Sequence, residues 1–285
     1  MKLIALDLDG TTLNSQKIMS EENIKAIKKA QQQGHIVMAL SGRSPNSIQG
    51  ELDKYGIICP VGASNGTALF VGGQLLNLTS LTQSQSSRIA VELEKEFMPY
   101  NISTNKGSFG LKDWQERFDK VLTSGLVPEE YYENKHYKMF TTPPWEYGHS
   151  LFNHYEDVLN DTEITVQKFQ ILGLDPEQKQ RIYTKLQSIE DIYITSSSPF
   201  NLEINHISGN KGNGLKIMAK HFNIPLVNTI AIGDERNDIP MLQAAGLAIA
   251  MENAEEEVKK HSDIVTLSND EHGVAYAIEK YVLIN

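Results

Sequence analysis

The sequence predicts an α/β fold: a core built on a mostly parallel sheet, with an α+β domain inserted into it. Short apolar runs ending in polar or glycine-rich turns recur near both ends of the chain, which is how strands buried on both faces read. A helical pattern separates the first two runs, and the middle of the chain differs in composition from its ends. At 285 residues, 40% hydrophobic and 22% charged, the chain can bury a core and has room for one large domain or two unequal ones.

In chain order, Leu3 to Leu6 precedes DLDGT, Ile36 to Leu40 precedes SGR, and Val61 to Ala63 precedes SNGT. Between the first two, SEENIKAIKKAQQQG reads as a helix with Ser20 as N-cap, Ile24, Ile27 and Ala30 on one face, and Gly34 as its stop. Strand, helix, strand in that order makes a parallel crossover, which is right-handed in almost all sheets.

From about Gln83 to Asn205 lie both tryptophans and most of the tyrosines and phenylalanines. Ile89, Leu93 and Phe97 mark one helix there, and DPEQ at Asp175 to Gln178 has the form of a capping box with proline at the first helical position. After the turn-like SSSP, Phe200, Leu202 and Ile204 alternate with Asn201, Glu203 and Asn205 as a strand. The sheet pattern resumes with Thr229 to Ile232 before GDERND, a helix around Met241 to Ala245 stopped by Gly246, then strands at Leu247 to Ala250 and Ile264 to Thr266. The expected domains are therefore a core of 1–82 with 206–285 and an insert of 83–205.

The net charge of −10, from 26 Lys and Arg against 36 Asp and Glu, repels polyanions and argues against a nucleic-acid partner. Any phosphate must be met locally. Cys59 is the single cysteine, so no internal disulfide or thiolate metal site forms, as expected of a protein in a reducing cytoplasm. The apolar run before Asp7 is too brief for a signal-peptide core, and no stretch approaches the roughly 20 residues that cross a bilayer, so no membrane partner is expected.

The polar clusters at Asp7 and Asp9, Ser41 to Arg43, Asn65, and Asp234 to Asp238 each follow an apolar run. In an open parallel sheet the ligand crevice lies outside the carboxyl ends of the strands, where such segments converge. Asp7 and Asp9, two residues apart, can point to the same side. Close carboxylates repel unless a cation sits between them or one is protonated, and hard oxygen ligands suit magnesium. Alternatively, both aspartates shape a turn with Gly10.

Ser41, Gly42 and Arg43 offer a hydroxyl, an uncrowded amide and a guanidinium to phosphate oxygens, or form an ordinary polar loop. Lys211, between glycines at a helix start, opposes the helix dipole and is best explained by an anion. Asp238 reads as the cap of the following helix, which leaves Asp234 free for a ligand role. There is no HExxH, and GNKGNG lacks the spacing of a nucleotide-binding loop.

Together, DLDGT at Asp7 to Thr11, SGR at Ser41 to Arg43, NKG around Lys211 and GDERND at Gly233 to Asp238 resemble the four ordered motifs of the haloacid dehalogenase superfamily. SNG at Ser64 to Gly66, LEI at Leu202 to Ile204 and the large insert make the chain similar to its Cof-type hydrolases. The resemblance implies a Rossmann-like core with a mobile α/β cap, and Mg²⁺-dependent hydrolysis of phosphate monoesters of small metabolites, sugar phosphates foremost. It implies Asp7 as a nucleophile that becomes an aspartyl-phosphate, and Asp9 as general acid and then base.

By the same resemblance, Asp7, the backbone carbonyl of Asp9 and Asp234 would hold Mg²⁺ with Asp238 in support. Ser41, Arg43, Lys211, Asn237 and backbone amides near Leu8 and Gly42 would hold the phosphoryl group, and Asn65 would touch substrate. Thr67 stands where the family often has a small apolar residue and would alter the pocket rim. Trp114, Tyr131, Tyr132 and Trp145 are expected to form the insert's own core rather than to stack on a ring. Two rivals are a phosphomutase, which would need cap cations for a second phosphate from among Arg88, Arg117 and Arg181, and a non-catalytic phospho-ligand sensor, which would have lost one of the motif residues.

Overall fold

A computed structural model describes residues 1–134, 136–196 and 198–283. The chain divides into two compact units, one of residues 1–78 and 208–285 and the other of 79–207. The last two residues of the expected core range, and Ser197 of the SSSP turn, lie outside the described residues.

The first unit opens with β1 (Leu3–Leu6), α1 (Glu21–Gln32), β2 (Ile36–Leu40), α2 (Pro45–Asp53), β3 (Val61–Ala63), β4 (Ala68–Val71) and β5 (Gln74–Leu78). Helix α1 starts where the Ser20 side chain accepts the Asn23 amide at 3.2 Å, and the chain leaves it through Gly34 at φ +82°.

The insert carries α3 (Gln83–Lys95), β6 (Tyr100–Thr104), β7 (Gly107–Leu111), α4 (Trp114–Leu122), α5 (Tyr137–Thr141), β8 (Ser150–Phe152), α6 (Glu156–Leu159), β9 (Val166–Leu172), α7 (Pro176–Leu186), β10 (Ile192–Thr195) and β11 (Asn201–His206). Its strands run in the order β10-β11-β9-β6-β7-β8, antiparallel except for the β7–β8 pair.

Ile89 and Leu93 are buried as expected, but Phe97 lies beyond the end of α3 at φ +54°, with its ring 4.7 Å from the Arg117 guanidinium. At DPEQ, Asp175 caps α7 through the Glu177 amide, but Gln178 reaches across to the Glu96 carbonyl, so the reciprocal half of a capping box does not form. Trp114 is buried and stacked on Phe118, and Tyr131 packs on Phe200. Tyr132 and Trp145 are 49% and 42% exposed, which takes them out of the core expected for them.

The unit boundary falls a few residues outside the insert read from sequence because backbone pairing carries the flanks inward. The Leu81 amide bonds to the Val166 carbonyl, His206 pairs with Ile192, and the Ile207 amide bonds to the Asp191 carbonyl.

The first unit resumes with α8 (Lys211–His221), β12 (Thr229–Gly233), α9 (Ile239–Ala244), β13 (Leu247–Ala250), α10 (Glu256–Lys259), β14 (Ile264–Val265) and α11 (Gly273–Tyr281). Its sheet order is β14-β13-β12-β1-β2-β3-β4-β5, with parallel pairing from β14 to β3 and antiparallel pairing at β4 and β5.

Alternate residues of β1 feed opposite layers. Leu3 and Ala5 pack with Leu215, Met218 and Met241, while Ile4 and Leu6 pack with Ile27, Val274 and Ile278. Burying each such large side chain stabilises the fold by about 1.5–3 kcal/mol, which fixes the strand's register between two helical layers. That register places the site: Leu6 pairs with Ile232 on one side and Ala39 on the other, and Leu40 with Gly62. The residues that follow, Asp7, Asp234 and Ser41, therefore leave the sheet at one edge, the carboxyl ends of β1, β12 and β2.

Candidate active site

Asp7 leaves β1 with its amide bonded to the Ile232 carbonyl and its carbonyl accepting the Thr12 hydroxyl. Its carboxylate is buried, and Oδ1 accepts from Lys211 Nζ at 2.6 Å. The same ammonium reaches Asp238 Oδ1 at 2.5 Å. Lys211 is the first residue of α8, whose N-cap Asn210 accepts the Asn213 amide. The anion that the lysine's position demanded is thus supplied by the protein itself, as Asp7 and Asp238.

Asp238 uses its other oxygen on the amides of Asp234 and Glu235, at 2.9 and 3.0 Å. It closes the turn behind it and makes no side-chain cap to α9, so the expected capping role is replaced by an ion pair and a turn. Asp234 Oδ1 accepts the Thr11 hydroxyl at 2.6 Å. Gly10, at φ +78°, lies against Asp234 so closely that a Cβ would overlap its carboxylate.

Oxygens of Asp7, Asp234 and Asp238 lie within 4.8 Å of one another. Burial, opposed by Lys211 and reinforced by the Asp238 and Asp234 charges, pushes the Asp7 carboxyl up to about 8. Burial likewise pushes Asp234 up to about 7, against the Thr11 hydrogen bond and with the Asp238 charge. Burial works against the Lys211 charge too, yet Asp238 and Asp7 hold it above the ordinary lysine range. Asp7 and Asp238 thus share one ammonium with Asp234 beside them, and ionising all three carboxyls would leave negative charge in excess. An all-oxygen set in that state fits a hard divalent cation such as Mg²⁺, which makes these residues a group able to hold a metal ion.

The Asp9 carboxylate stands apart from that group. Arg43 Nε and Nη2 fork onto it at 2.6 and 2.7 Å, and Lys17 Nζ joins at 2.9 Å. Partial burial would raise this carboxyl, but the bonds and charges of Arg43 and Lys17 outweigh it and hold it at about 2. Two-residue spacing allowed Asp7 and Asp9 a common side. Past the end of the strand that alternation no longer binds them, and the cations each finds decide their directions.

Ser41 is buried, and its hydroxyl accepts the Arg43 amide at 3.3 Å. Leu8 puts its side chain in the core, leaving only its backbone to the loop. Ser64, Asn65 and Gly66 take three successive left-handed conformations, at φ +48°, +60° and +82°. This turn lets Asn65 Oδ1 accept from the side-chain Nδ2 of Asn237 at 3.1 Å and brings it against Gly42, while a Cβ on Gly66 would press on the Asn210 carbonyl before Lys211. Asn237 Oδ1 is buried without a hydrogen-bond partner among the described residues. Thr67 turns its hydroxyl onto the Ser64 carbonyl and is buried, so it closes this turn and forms no rim.

Sequence reading assigned no part to Thr11, Thr12 or Lys17. Thr11 lay inside the DLDGT signal; Lys17 had none, because its reach to Asp9 depends on a turn where Asn14 Oδ1 accepts the amides of Gln16 and Ile18. In the insert, Arg117 is committed to Glu94, Asp113 and the Met98 carbonyl, Arg181 to Glu96, and Arg88 to the Ser188 carbonyl.

Comparison with known proteins covers nearly the whole chain. Residues 4–278 match the family model of the haloacid dehalogenase-like hydrolases, and the chain belongs to that family. It is an enzyme of the phosphatase class. It is 32% identical over 283 residues to the Bacillus subtilis phosphatase YwpJ, covering 98% of this chain and 99% of that one. It is also 32% identical to YwtE of the same organism, named a 5-amino-6-(5-phospho-D-ribitylamino)uracil phosphatase, over 98% of both chains. Among solved structures, a haloacid dehalogenase-like hydrolase from B. subtilis superimposes with a TM-score of 0.76 at 31% identity, over 99% of this chain and 100% of that one.

Proposed function

We propose that this phosphatase is Mg²⁺-dependent and hydrolyses phosphate monoesters of small metabolites, sugar phosphates foremost, through an aspartyl-phosphate on Asp7. The observation that carries this reading is the pairing of Asp7 with Lys211 inside a buried group of three carboxylates. Asp7, Asp234 and the backbone carbonyl of Asp9 would hold the ion, with Asp238 behind them. When bound, Mg²⁺ supplies the positive charge that this group lacks and draws negative charge from the phosphoryl oxygens.

An Asp7 carboxylate oxygen attacks phosphorus, and the bond from phosphorus to the ester oxygen breaks. By the family resemblance Asp9 gives the departing oxygen its proton and then takes one from the water that attacks the aspartyl-phosphate, so phosphate leaves and both aspartates return to their starting states; for that step the Arg43 and Lys17 contacts that hold it at about 2 must release it. Lys211, Ser41, Arg43, Asn237 and the amides near Leu8 and Gly42 bind the phosphoryl oxygens as charge builds on them. Asn65 fixes Asn237 and borders the substrate. The −10 charge and the absence, among the described residues, of any helix long and apolar enough to cross a membrane accord with a small phosphorylated partner and a cytoplasmic setting.

Phosphate release from sugar phosphates, nucleotides, cofactor phosphates and p-nitrophenyl phosphate, with Mg²⁺ or EDTA, tests the proposal. Release should require both Mg²⁺ and Asp7. Turnover by Asp7→Asn at near the parent rate, or undiminished turnover in EDTA, overturns it.

A further inference from the structure

Asn253 lies in the turn after β13, exposed to solvent and outside all four motif segments, yet both ends of its side-chain amide are committed. Nδ2 donates to the Gly10 carbonyl at 2.9 Å, and Oδ1 accepts the Asn269 amide at 2.9 Å. A carbonyl on one side and an N–H on the other admit only this orientation of the group. Asn269 in turn donates from Nδ2 to the Leu13 carbonyl at 3.0 Å. Two asparagines from near the far end of the chain thus bracket residues 10–13.

Two hydroxyls stand inside the bracket. Thr11 donates to Asp234 Oδ1 at 2.6 Å, and Thr12 donates to the Asp7 carbonyl. A Cβ on Gly10 would meet the other oxygen of Asp234, so the Gly10–Thr11 segment borders both oxygens of that carboxylate. Little else holds this segment. Gly10 has no side chain and stands at φ +78°, where glycine is free to move, and the Thr11 amide reaches the Leu8 carbonyl only at 3.4 Å. The peptide between Gly10 and Thr11 is planar, so a bond to its carbonyl oxygen sets the direction of the whole unit.

An exposed asparagine can satisfy its amide with water, so burial does not demand these bonds and the fold gains little from them. We propose that Asn253 is a positioning residue for the metal centre: by holding the Gly10 carbonyl it keeps Thr11 on Asp234, and Asp234 is presented to a divalent cation in one orientation. This rests on Asp234 being a Mg²⁺ ligand of the proposed function. A ligand oriented in advance need not be ordered when the ion binds, so losing Asn253 weakens affinity more than it slows the loaded enzyme.

The test is calorimetric titration of the full chain with Mg²⁺, after metal has been stripped with EDTA and the EDTA removed. Metal-free melts and phosphate release against Mg²⁺ concentration accompany it. The proteins are the parent, Asn253→Ala, Thr11→Val and the double variant. Asn253→Ala should weaken Mg²⁺ binding by about tenfold, as loss of an outer partner of a metal ligand does. Its metal-free melting temperature should move by less than about 2 °C. Its deficit in phosphate release should be greatest at limiting Mg²⁺ and shrink as the ion is raised. Thr11→Val should weaken binding at least as much, and adding Asn253→Ala to it should cost nothing further, because the two act on one carboxylate in series.

A loss that adds in full to that of Thr11→Val, or one seen in the melt and not in Mg²⁺ affinity, overturns the role given to Asn253. If Thr11→Val weakens Mg²⁺ binding and Asn253→Ala does not, the inference alone fails. If the parent takes up no Mg²⁺, the metal reading of the proposed function fails and the role of Asn253 falls with it.

Discussion

Lys211 and Asp238 form an ion pair at 2.5 Å in which neither side chain is exposed to solvent. With Asp7 on the same ammonium, the pair joins the first residue of α8 to the turn after β12 and the residue after β1. Removing one member of a buried pair leaves the other charge uncompensated, at about 3–5 kcal/mol. Lys211→Met should therefore lower the melting temperature by several degrees as well as abolish turnover. Addition of Mg²⁺ should recover part of the stability and none of the activity. Thermal melts with and without the ion, beside phosphate release, read both.

Asp7→Asn should separate activity from stability. Its carboxyl is pushed up to about 8 chiefly by burial, so at neutral pH the fold already favours the uncharged form that an amide resembles. Turnover should fall more than about 10³-fold, as when a covalent nucleophile is removed. The melting temperature in the absence of metal should stay level or rise. A large drop would mean that the Lys211 contact outweighs the desolvation.

The raised carboxyls fix the sign of a pH effect. An acid near 3.8 in the unfolded chain that holds its proton to about 7 at Asp234 and about 8 at Asp7 makes the metal-free fold lose stability as pH climbs between those values. Mg²⁺ must displace these protons, so its affinity should rise over the same window and level off above about pH 8. Melting curves at pH 6, 7, 8 and 9, with and without Mg²⁺, measure this. A stabilisation by Mg²⁺ that is flat across the series would show that these carboxyls are already ionised at pH 6.

Gly10→Ala introduces a Cβ where the Asp234 carboxylate lies, on backbone at φ +78°. Left-handed strain of about 1–3 kcal/mol adds to the displacement of Asp234. We expect weaker Mg²⁺ binding, by about tenfold for about 1.4 kcal/mol of lost ligand alignment, with a modest loss of stability. A calorimetric Mg²⁺ titration checks the first, and a denaturant melt the second.

Much of this architecture was legible because strands buried on both faces must be apolar along their length, and parallel register brings their carboxyl ends to one edge. Leu3 to Leu6, Ile36 to Leu40 and Leu247 to Ala250 form strands over the same bounds that their sequence pattern marks. Ser20 and Gly34 bound a helix for reasons local to the backbone. Phe97 defeated a periodicity reading because the helix ended before it, and its ring found Arg117 from another element. Gln178 left its own cap for a carbonyl far away in sequence, a choice that only packing presents.

By itself the sequence determined where each site residue stands: just past a buried strand, beside a glycine that tolerates a left-handed turn, or at the start of a helix. These are short-range matters, set by the steric limits of a few adjacent residues. Only the tertiary structure decided which charge meets which. Asp7 and Asp9 are two residues apart, yet Lys211 holds one in the carboxylate group while Arg43 holds the other apart from it. In a poorly solvated site a carboxylate turns toward the nearest cation, and those cations come from segments that only the packing of the sheet and its helices brings within reach.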